Sequence, residues 1–254
     1  NYITCVIAGS VFTGSFPLSE ESVHEPWFLW GVAMGAGYIC VFNLIAYSAR
    51  TAGVSVTSVA NKLSLVIPFI MSVYLYNEKV TVWNITGILL ALASVILVCY
   101  PSEKIKTVNK SIYILPIVLF ISSGLLDSML KYVENTHVTG EGYNAFLVTS
   151  FLSAASFGAV VLFTQFIFKK QQFSTKALLA GIIIGVPNYF SIFTLLKALE
   201  YYPGKSAMVI PVNNMGIVLF SAVAAWIIFK ERLSVLNKTG ILLSLFAIFL
   251  IAFG

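Results

Sequence analysis

The sequence predicts an all-α integral membrane protein whose helices form an inverted repeat. Its composition is 59% hydrophobic and only 10% charged, with a mean hydropathy of +0.93, whereas soluble domains carry about 25% charged residues. Many apolar segments of about 20 residues are long enough to cross a hydrocarbon core roughly 30 Å thick. Residues 77–98 also recur as residues 230–251, with 10 of 22 positions identical. These three observations indicate a duplicated membrane bundle.

Nine candidate membrane spans follow one another along the chain. They cover residues 1–17, 27–49, 52–76, 81–100, 111–133, 143–168, 175–200, 204–229 and 234–253. The longest interruptions, 19–26, 101–110 and 134–142, leave no room for a soluble catalytic domain. The function must therefore reside in the bundle.

The repeat rests on polar and small residues at matching positions, because apolar helices match one another by chance. The matched pairs are Glu78/Glu231, Asn84/Asn237, Thr86/Thr239 and Gly87/Gly240. Two further spans each hold a G-x-x-x-G pair, Gly31 with Gly35 and Gly181 with Gly185. Small residues so spaced let helices approach closely in lipid. Both glycine pairs therefore predict tight helix contacts.

The repeat is uneven, which indicates one more helix. If residues 143–253 mirror the first four spans, the fifth span, residues 111–133, has no counterpart in the first half. We expect that counterpart within about 25 to 35 residues preceding Asn1, in a ten-helix bundle made of two sets of five. Because five is odd, the second set crosses the membrane in the opposite sense. Residues 1–100 then form the first repeat, lacking its first helix, and residues 111–254 the second, within one membrane domain.

With these features the chain resembles the EamA-like family of the drug/metabolite transporter superfamily over essentially its whole length. The resemblance lies in Asn77-Glu78-Lys79 followed by Gly87, in Lys230-Glu231-Arg232 followed by Gly240, in Pro68 and Pro211, and in Ala198-Leu199. These motifs specify a fold and hardly a substrate. The resemblance implies a ten-helix permease with a central cavity between its halves.

Lys62 is the strongest single indication of a binding site. It lies deep in an apolar span, where an ammonium group costs a few kcal/mol or more unless it is paired or hydrated. Ser55, Ser58 and Lys62 share one helix face, which should therefore line a cavity. Lys62 could anchor an anionic group of a solute. The alternatives are a structural ion pair with Asp127 or Glu200, or a side chain that extends to the membrane surface.

Asparagines occupy the matching position in the second half. The repeat places Asn213 and Asn214 opposite Ala60 and Asn61, just after Pro211. Amides both donate and accept hydrogen bonds, which suits a cavity that binds and releases a polar solute. Hydrogen bonds between helices, worth about 0.6 kcal/mol each in membranes, are the alternative.

Further candidates lie beside a predicted helix kink. Pro187 should kink its helix and expose the polar groups of Asn188 and Tyr189, so that this helix could line a pathway. The corresponding span of the first half offers Tyr38 and Asn43. For each of these four polar residues a binding role and a packing role stay open.

Asp127 is the candidate for ion coupling. It lies near the end of its span, one turn before Lys131. Residues four apart on a helix most simply form an ion pair. Alternatively, Asp127 carries a proton during transport.

No enzyme active site, metal site or cofactor site can be assembled from the sequence. Glu78 and Glu231 lie at helix ends beside cations, so capping and ion pairing explain them better than catalysis. His24 and His137 lie in polar loops, where we expect them to be solvated. The three cysteines lie in apolar runs without the spacing of metal ligands.

The charges point to a lipid bilayer as partner and not to nucleic acid. The formal charge is +5, but the 15 Lys and Arg residues are scattered at segment ends, as is typical of membrane proteins. The loops richer in these residues should be cytoplasmic, whereas the resemblance implies the opposite sense, so the orientation stays open. A bacterial cytoplasmic membrane is the expected location, and a homodimer is an open alternative to a monomer.

The sequence therefore predicts a secondary transporter that moves a small polar metabolite by alternating access. Lys62 favours an anionic solute. Export of hydrophobic or lipid-linked compounds is a second hypothesis, favoured by the 14% aromatic content. A non-transporting membrane scaffold or sensor is a third, and it would need no polar residues along facing helices.

Overall fold

A computed structural model describes residues 1–51, 54–98, 111–138, 142–168, 174–228 and 234–253. The regular elements in those residues are α1 (Tyr2–Thr13), a 3-10 helix (Glu20–His24), α2 (Phe28–Thr51), α3 (Val54–Leu63), α4 (Val66–Tyr76), α5 (Val82–Val98), α6 (Ser111–Thr136), α7 (Gly142–Ile167), α8 (Thr175–Tyr201), α9 (Ser206–Ile228) and α10 (Val235–Phe253). The predicted all-α class is confirmed. The 101–110 loop, Glu231 with its flanking cations and the side chain of Ser55 lie outside this description.

Within the described residues, six stretches of helix are long and apolar enough to cross a membrane. They are Phe28–Thr51, Thr57–Tyr76, Ile114–Thr136, Gly142–Thr164, Thr175–Tyr201 and Val235–Phe253. The other three predicted spans correspond to apolar helices that are shorter over the described residues, Tyr2–Thr13, Val82–Leu97 and Ser206–Phe220. The chain is therefore an integral membrane protein.

The third predicted span, residues 52–76, is interrupted by a turn at Ser64 and Leu65. Pro68 explains the break, because it has no N–H to donate to the Ser64 carbonyl four residues earlier. That carbonyl instead accepts a hydrogen bond from the backbone N–H of Ile67 at 3.0 Å. The predicted span therefore consists of two helices, α3 and α4, and its part Thr57–Tyr76 is long and apolar enough to cross a membrane.

The first compact unit combines Asn1–Cys40 with Met129–Tyr201. In it α1 packs against α7 and α8, and the start of α2 approaches α7. A Cβ atom on Gly35 would collide with the Ser150 carbonyl, and one on Gly185 would collide with a side chain of α1. The two glycine pairs thus mark close helix contacts, as predicted.

The second compact unit combines Val41–Ser128 with Tyr202–Gly254. In it α5 lies along α10, and α9 contacts α4, α5 and α10. These helices bury an apolar core formed by Leu65, Ile88, Ala91, Val95, Met215, Val218, Ala247 and Ile251. Each unit therefore contains helices from both halves of the sequence.

The recurring segments, α5 and α10, begin with the same cap. The Thr81 N–H donates to Asn84 Oδ1 at 3.0 Å, and the Asn84 N–H donates to Thr81 Oγ1 at 3.1 Å. Ser234 and Asn237 exchange the corresponding bonds at 3.0 and 3.2 Å. Such an exchange satisfies backbone donors that a helix start otherwise leaves free. The sequence identity therefore reflects the same local structure.

The same two asparagines join α5 to α10. Asn84 Nδ2 donates to the Ile251 carbonyl at 3.1 Å, and Asn237 Nδ2 donates to the Leu97 carbonyl at 3.2 Å. Each bond runs from the start of one helix to the end of the other. The two helices are therefore antiparallel.

Candidate functional site

Three polar side chains of the second compact unit, which we name the Lys62 cluster, lie together. Lys62 Nζ donates a long hydrogen bond of 3.4 Å to Asn214 Oδ1, and Asn214 is only 9% exposed. Asp127 interacts electrostatically with Lys62 and accepts a hydrogen bond from Asn214. The fold thus brings together an ammonium from α3, an amide from α9 and a carboxylate from α6.

Local structure favours a cation at position 62. Lys62 lies in the last turn of α3, where the helix dipole favours positive charge. The turn at Ser64 and Leu65 follows directly, and the Ser64 hydroxyl donates to the Asn61 carbonyl at 2.5 Å. Irregular backbone therefore lies within one turn of Lys62.

The Lys62 cluster borders the apolar core of its unit. Leu65 and Met215, which is next to Asn214 in sequence, are fully buried core residues. Apolar neighbours lower the local dielectric, so interactions of a charge with another charge or an amide are stronger than in water. The amide and the carboxylate therefore provide the compensation that an ammonium needs in such surroundings.

Four further predicted site residues lie in the same compact unit. Ser58 and Asn61 on α3 and Asn213 on α9 are half-buried, whereas Asn43 on α2 is exposed. Ser58, Asn61 and Asn213 share helices with members of the Lys62 cluster, and Asn214 contacts Lys62 directly. Asn214, which the repeat places opposite Asn61, is therefore in contact with Lys62.

Tyr189, Asn188 and Tyr38 belong to the first compact unit instead. Tyr189 is fully buried, and its hydroxyl donates to Asn144 Oδ1. Asn188 Nδ2 donates to Asn1 Oδ1 at 3.4 Å, and the Tyr38 ring stacks on an aromatic ring of α7 at 5.9 Å. These contacts between helices correspond to the packing role that the sequence left open.

Asn144 is a buried polar residue absent from the sequence prediction. It is 6% exposed, and its Nδ2 donates to the Gly9 carbonyl at 3.2 Å and to Thr13 Oγ1 at 3.1 Å. Together with Tyr189 it links α1, α7 and α8. The signal that could have found it is an amide inside an apolar span, since such groups need partners in lipid.

Two ion pairs among the described residues join side chains three positions apart. Lys131 forms an ion pair with Glu134 at 2.7 Å, and Lys197 forms one with Glu200 at 2.8 Å. The observed ion-pair partner of Lys131 is thus Glu134, while Asp127 interacts with Lys62. Of the two carboxylates considered as partners of Lys62, the structure brings Asp127 to it.

Glu78 is a capping residue. It is 6% exposed, and its carboxylate accepts hydrogen bonds from the Ser206 N–H at 3.1 Å, from the Ser206 hydroxyl and from the Ala207 N–H at 2.7 Å. These donors begin α9, where a negative charge also complements the helix dipole. The capping role predicted for Glu78 is confirmed, and the capped helix belongs to the other half of the sequence.

No group of three or more His, Cys, Asp or Glu side chains that could hold a metal ion occurs among the described residues.

His137 is half-buried. Its ring stacks on Trp30 at 5.9 Å and meets the edge of Tyr132 at 5.6 Å. His137 is therefore partly exposed, and its ring also packs against two aromatic rings.

Comparison with known proteins gives a family match and a fold match. The model of the EamA-like transporter family matches residues 1–100 and 110–253. A protein of Haemophilus influenzae, described as an uncharacterized protein, is 29% identical over 260 residues, which cover 98% of this chain and 85% of that protein. A crystal structure of another protein, 13% identical, matches with a TM-score of 0.73 over 98% of this chain and 84% of that one.

Proposed function

The chain belongs to the EamA-like transporter family, and from this premise we propose that it moves a small anionic metabolite across a membrane by alternating access. The Lys62 cluster is the proposed binding site. The membrane is proposed to be a bacterial cytoplasmic membrane, which the Haemophilus influenzae relative supports.

The observation that carries this proposal is the contact of Lys62 with Asn214 and Asp127. An ammonium group within a membrane bundle needs a partner, and the structure provides both an amide and a carboxylate. A carboxylate or phosphate group of a solute could replace Asp127 beside Lys62 while Asn214 keeps its own contact. The positive charge of Lys62 would then be compensated by Asp127 when the site is empty and by the solute anion when the site is occupied.

Asp127 is the proposed coupling residue. A solute anion that takes its place beside Lys62 leaves the Asp127 carboxylate without a cation. A charged group in apolar surroundings is costly and is neutralised when it loses its partner. Binding of the solute would therefore favour uptake of one proton by Asp127, and release of the solute would reverse it.

An inverted repeat is part of this proposal, because two related halves suit alternating access. The reciprocal bonds of Asn84 and Asn237 relate α5 to α10 by an approximate two-fold operation. In the proposed repeat α8 corresponds to α2 and α7 corresponds to α1. The glycine contacts of α2 with α7 and of α8 with α1 support that correspondence. Transporters of this construction bind solutes near broken helices, and the break at Ser64 and Leu65 lies beside Lys62.

The first experiment screens purified protein for thermal stabilisation by three sets of compounds: carboxylates, phosphate esters and lipophilic cations. A ligand that binds the folded state raises the melting temperature by mass action. We expect stabilisation by members of the first two sets. Stabilisation by the lipophilic set alone would favour export of hydrophobic compounds, and no stabilisation by any set would favour a scaffold or sensor.

The second experiment measures uptake of the stabilising compound into proteoliposomes. Lys62→Gln should reduce uptake by roughly tenfold or more, because it removes a charged hydrogen-bond donor from the site, while folding and insertion stay intact. Lys238→Gln is the matched control, since it removes an exposed lysine of α10 outside the cluster. Full activity of a correctly inserted Lys62→Gln variant would contradict the proposed site.

A further inference from the structure

A polar cavity, distinct from the Lys62 cluster, opens at the end of the second compact unit where α5 and α9 begin and α10 ends. Its volume is about 280 Å³. Its lining is Glu78, Lys79, Val80, Thr81, Asn84, Gly204, Lys205, Ala207, Met208, Ile251, Ala252 and Phe253. Its two ammonium groups belong to Lys79, which lies before α5, and to Lys205, which lies before α9.

The charges around this cavity are unbalanced. Lys79 and Lys205 are exposed, and neither forms an ion pair in the part of the chain that the structure describes. Lys205 precedes the first residue of α9, and Lys79 lies just before α5. A helix start carries partial positive charge, so a lysine there is unfavourable by itself. Two helix starts and two lysines thus leave a positive potential at one cavity.

The single carboxylate in the lining does not neutralise this potential. Both oxygens of Glu78 accept hydrogen bonds from the donors at the start of α9. Glu78 is also buried, whereas the two lysines are exposed. The negative charge of Glu78 therefore compensates the start of α9. This leaves the two ammonium groups to pair with an anion from another molecule.

Apolar and aromatic side chains beside the cavity indicate where that anion comes from. Val82 is 78% exposed and Phe253 is 81% exposed, at the two helix ends that adjoin the cavity. Trp83 in the first turn of α5 and Tyr202 in the turn before α9 are also exposed. Trp and Tyr are enriched where a membrane protein meets the headgroup region. An exposed apolar rim next to a basic cavity fits a molecule with an anionic head and acyl chains.

We propose that this cavity binds the phosphate of an anionic phospholipid headgroup through Lys79 and Lys205, with the acyl chains lying against the exposed apolar side chains at the helix ends. Basic pockets between transmembrane helices are suited to such headgroups. The site is independent of the proposed solute. Because α9 also carries Asn214, the lipid would bind to the same helix that contributes to the Lys62 cluster.

The test compares melting temperatures of the full chain in detergent micelles that contain palmitoyl-oleoyl phosphatidylglycerol or palmitoyl-oleoyl phosphatidylcholine. We expect phosphatidylglycerol to raise the melting temperature by roughly 2–4 °C more than phosphatidylcholine, and the difference to shrink at high salt. An additional arm contains inorganic phosphate without added lipid. Equal stabilisation by phosphate and by phosphatidylglycerol would overturn the lipid as occupant.

Variants assign the effect to the cavity. The double variant K79Q/K205Q should lose the preference for phosphatidylglycerol, whereas K79R/K205R, which keeps both charges, should retain it. Lys238→Gln removes one charge outside the cavity and should also retain it. All substitutions are at exposed positions, so folding should be unaffected. An unchanged preference in K79Q/K205Q, or no preference in the unmodified chain, would contradict the proposal.

Discussion

Asn84 and Asn237 perform the same two tasks at opposite ends of one helix pair. Each caps its own helix, and each donates its amide N–H to a carbonyl near the end of the other helix, at 3.1 and 3.2 Å. Such an exchange is what a two-fold relation between α5 and α10 requires. It explains why this amide recurs in a segment where most other matches are apolar.

The two tasks of Asn84 can be separated by Asn84→Asp. Aspartate keeps the oxygen that accepts from the Thr81 N–H but removes the donor to the Ile251 carbonyl. We expect a loss of roughly 0.6–1.7 kcal/mol in the free energy of unfolding, the range for hydrogen bonds between membrane helices. Asn237→Asp should cost a similar amount, because its contacts correspond. Chemical unfolding in detergent gives both values, and strongly unequal losses would contradict the reciprocal relation.

Gly87 is required for the close approach of α5 to α10. A Cβ atom at this position would lie 2.6 Å from Ile251 Cγ1 and 3.2 Å from the Ala247 carbonyl oxygen. Gly87→Ala should therefore destabilise the protein by roughly 1–3 kcal/mol. Gly216→Ala is the control, since nothing lies within 4 Å of its added Cβ. That helical substitution should be neutral or stabilising, and equal melting temperatures for the two variants would contradict the packing argument.

Glu78→Gln should destabilise the start of α9. Glutamine keeps one acceptor, but it turns an NH₂ group toward backbone donors and removes the charge that complements the helix dipole. Loss of a charged, buried hydrogen bond costs about 1.5–3 kcal/mol, which should appear as a lower melting temperature. Glu20→Gln changes an exposed glutamate and should leave the melting temperature unchanged. If Glu78→Gln and Glu20→Gln have the same melting temperature, Glu78 does not cap α9.

Tyr189→Phe tests whether the polar residues of the first compact unit stabilise the packing of its helices. The change leaves Asn144 Oδ1 without the tyrosine donor, in a place where Asn144 is nearly inaccessible. A buried acceptor left unpaired costs roughly 1–3 kcal/mol, so thermal melting should show destabilisation. Tyr74→Phe removes an exposed hydroxyl and is the control. Unchanged stability together with lost solute binding would instead place Tyr189 in the binding site.

Asp127→Asn should separate solute exchange from proton coupling. Asparagine keeps the size of the side chain and a partner for Asn214, but it cannot take up a proton. We expect uptake driven by a pH gradient to be lost, whereas exchange of internal for external solute continues. Proteoliposome assays with and without a pH gradient measure both activities. Gradient-driven uptake by Asp127→Asn would exclude Asp127 as the coupling group.

The helical class and the matching starts of α5 and α10 could be predicted because each rests on information close in sequence. Apolar length identifies helices, and a shared pattern such as Thr81-x-x-Asn84 identifies equivalent starts. The break at Ser64 could have been predicted, because Pro68 lies four residues later and has no N–H to donate to the Ser64 carbonyl. Hydropathy alone does not indicate the break, because apolar character continues across it and one lost hydrogen bond does not change the hydropathy.

The candidate site was only partly predictable, because polar residues in a membrane serve packing and binding alike. Lys62 and Asn214 were found together because the repeat places their segments opposite each other. For Asn188 and Tyr189 the sequence leaves a binding role and a packing role open, and their observed partners lie in the first unit. The sequence shows that a group is polar, whereas its partner depends on the fold.

The interleaved units have a consequence for biosynthesis. The carboxylate of Glu78 and the amide of Asn84 enter the membrane with the early helices, but their partners belong to α9 and α10. Until the ribosome has delivered those last helices, both groups lack their final hydrogen bonds inside or near the lipid. Maturation of the early segments therefore depends on completion of the nascent chain, and a stalled intermediate would be a natural target for membrane quality control.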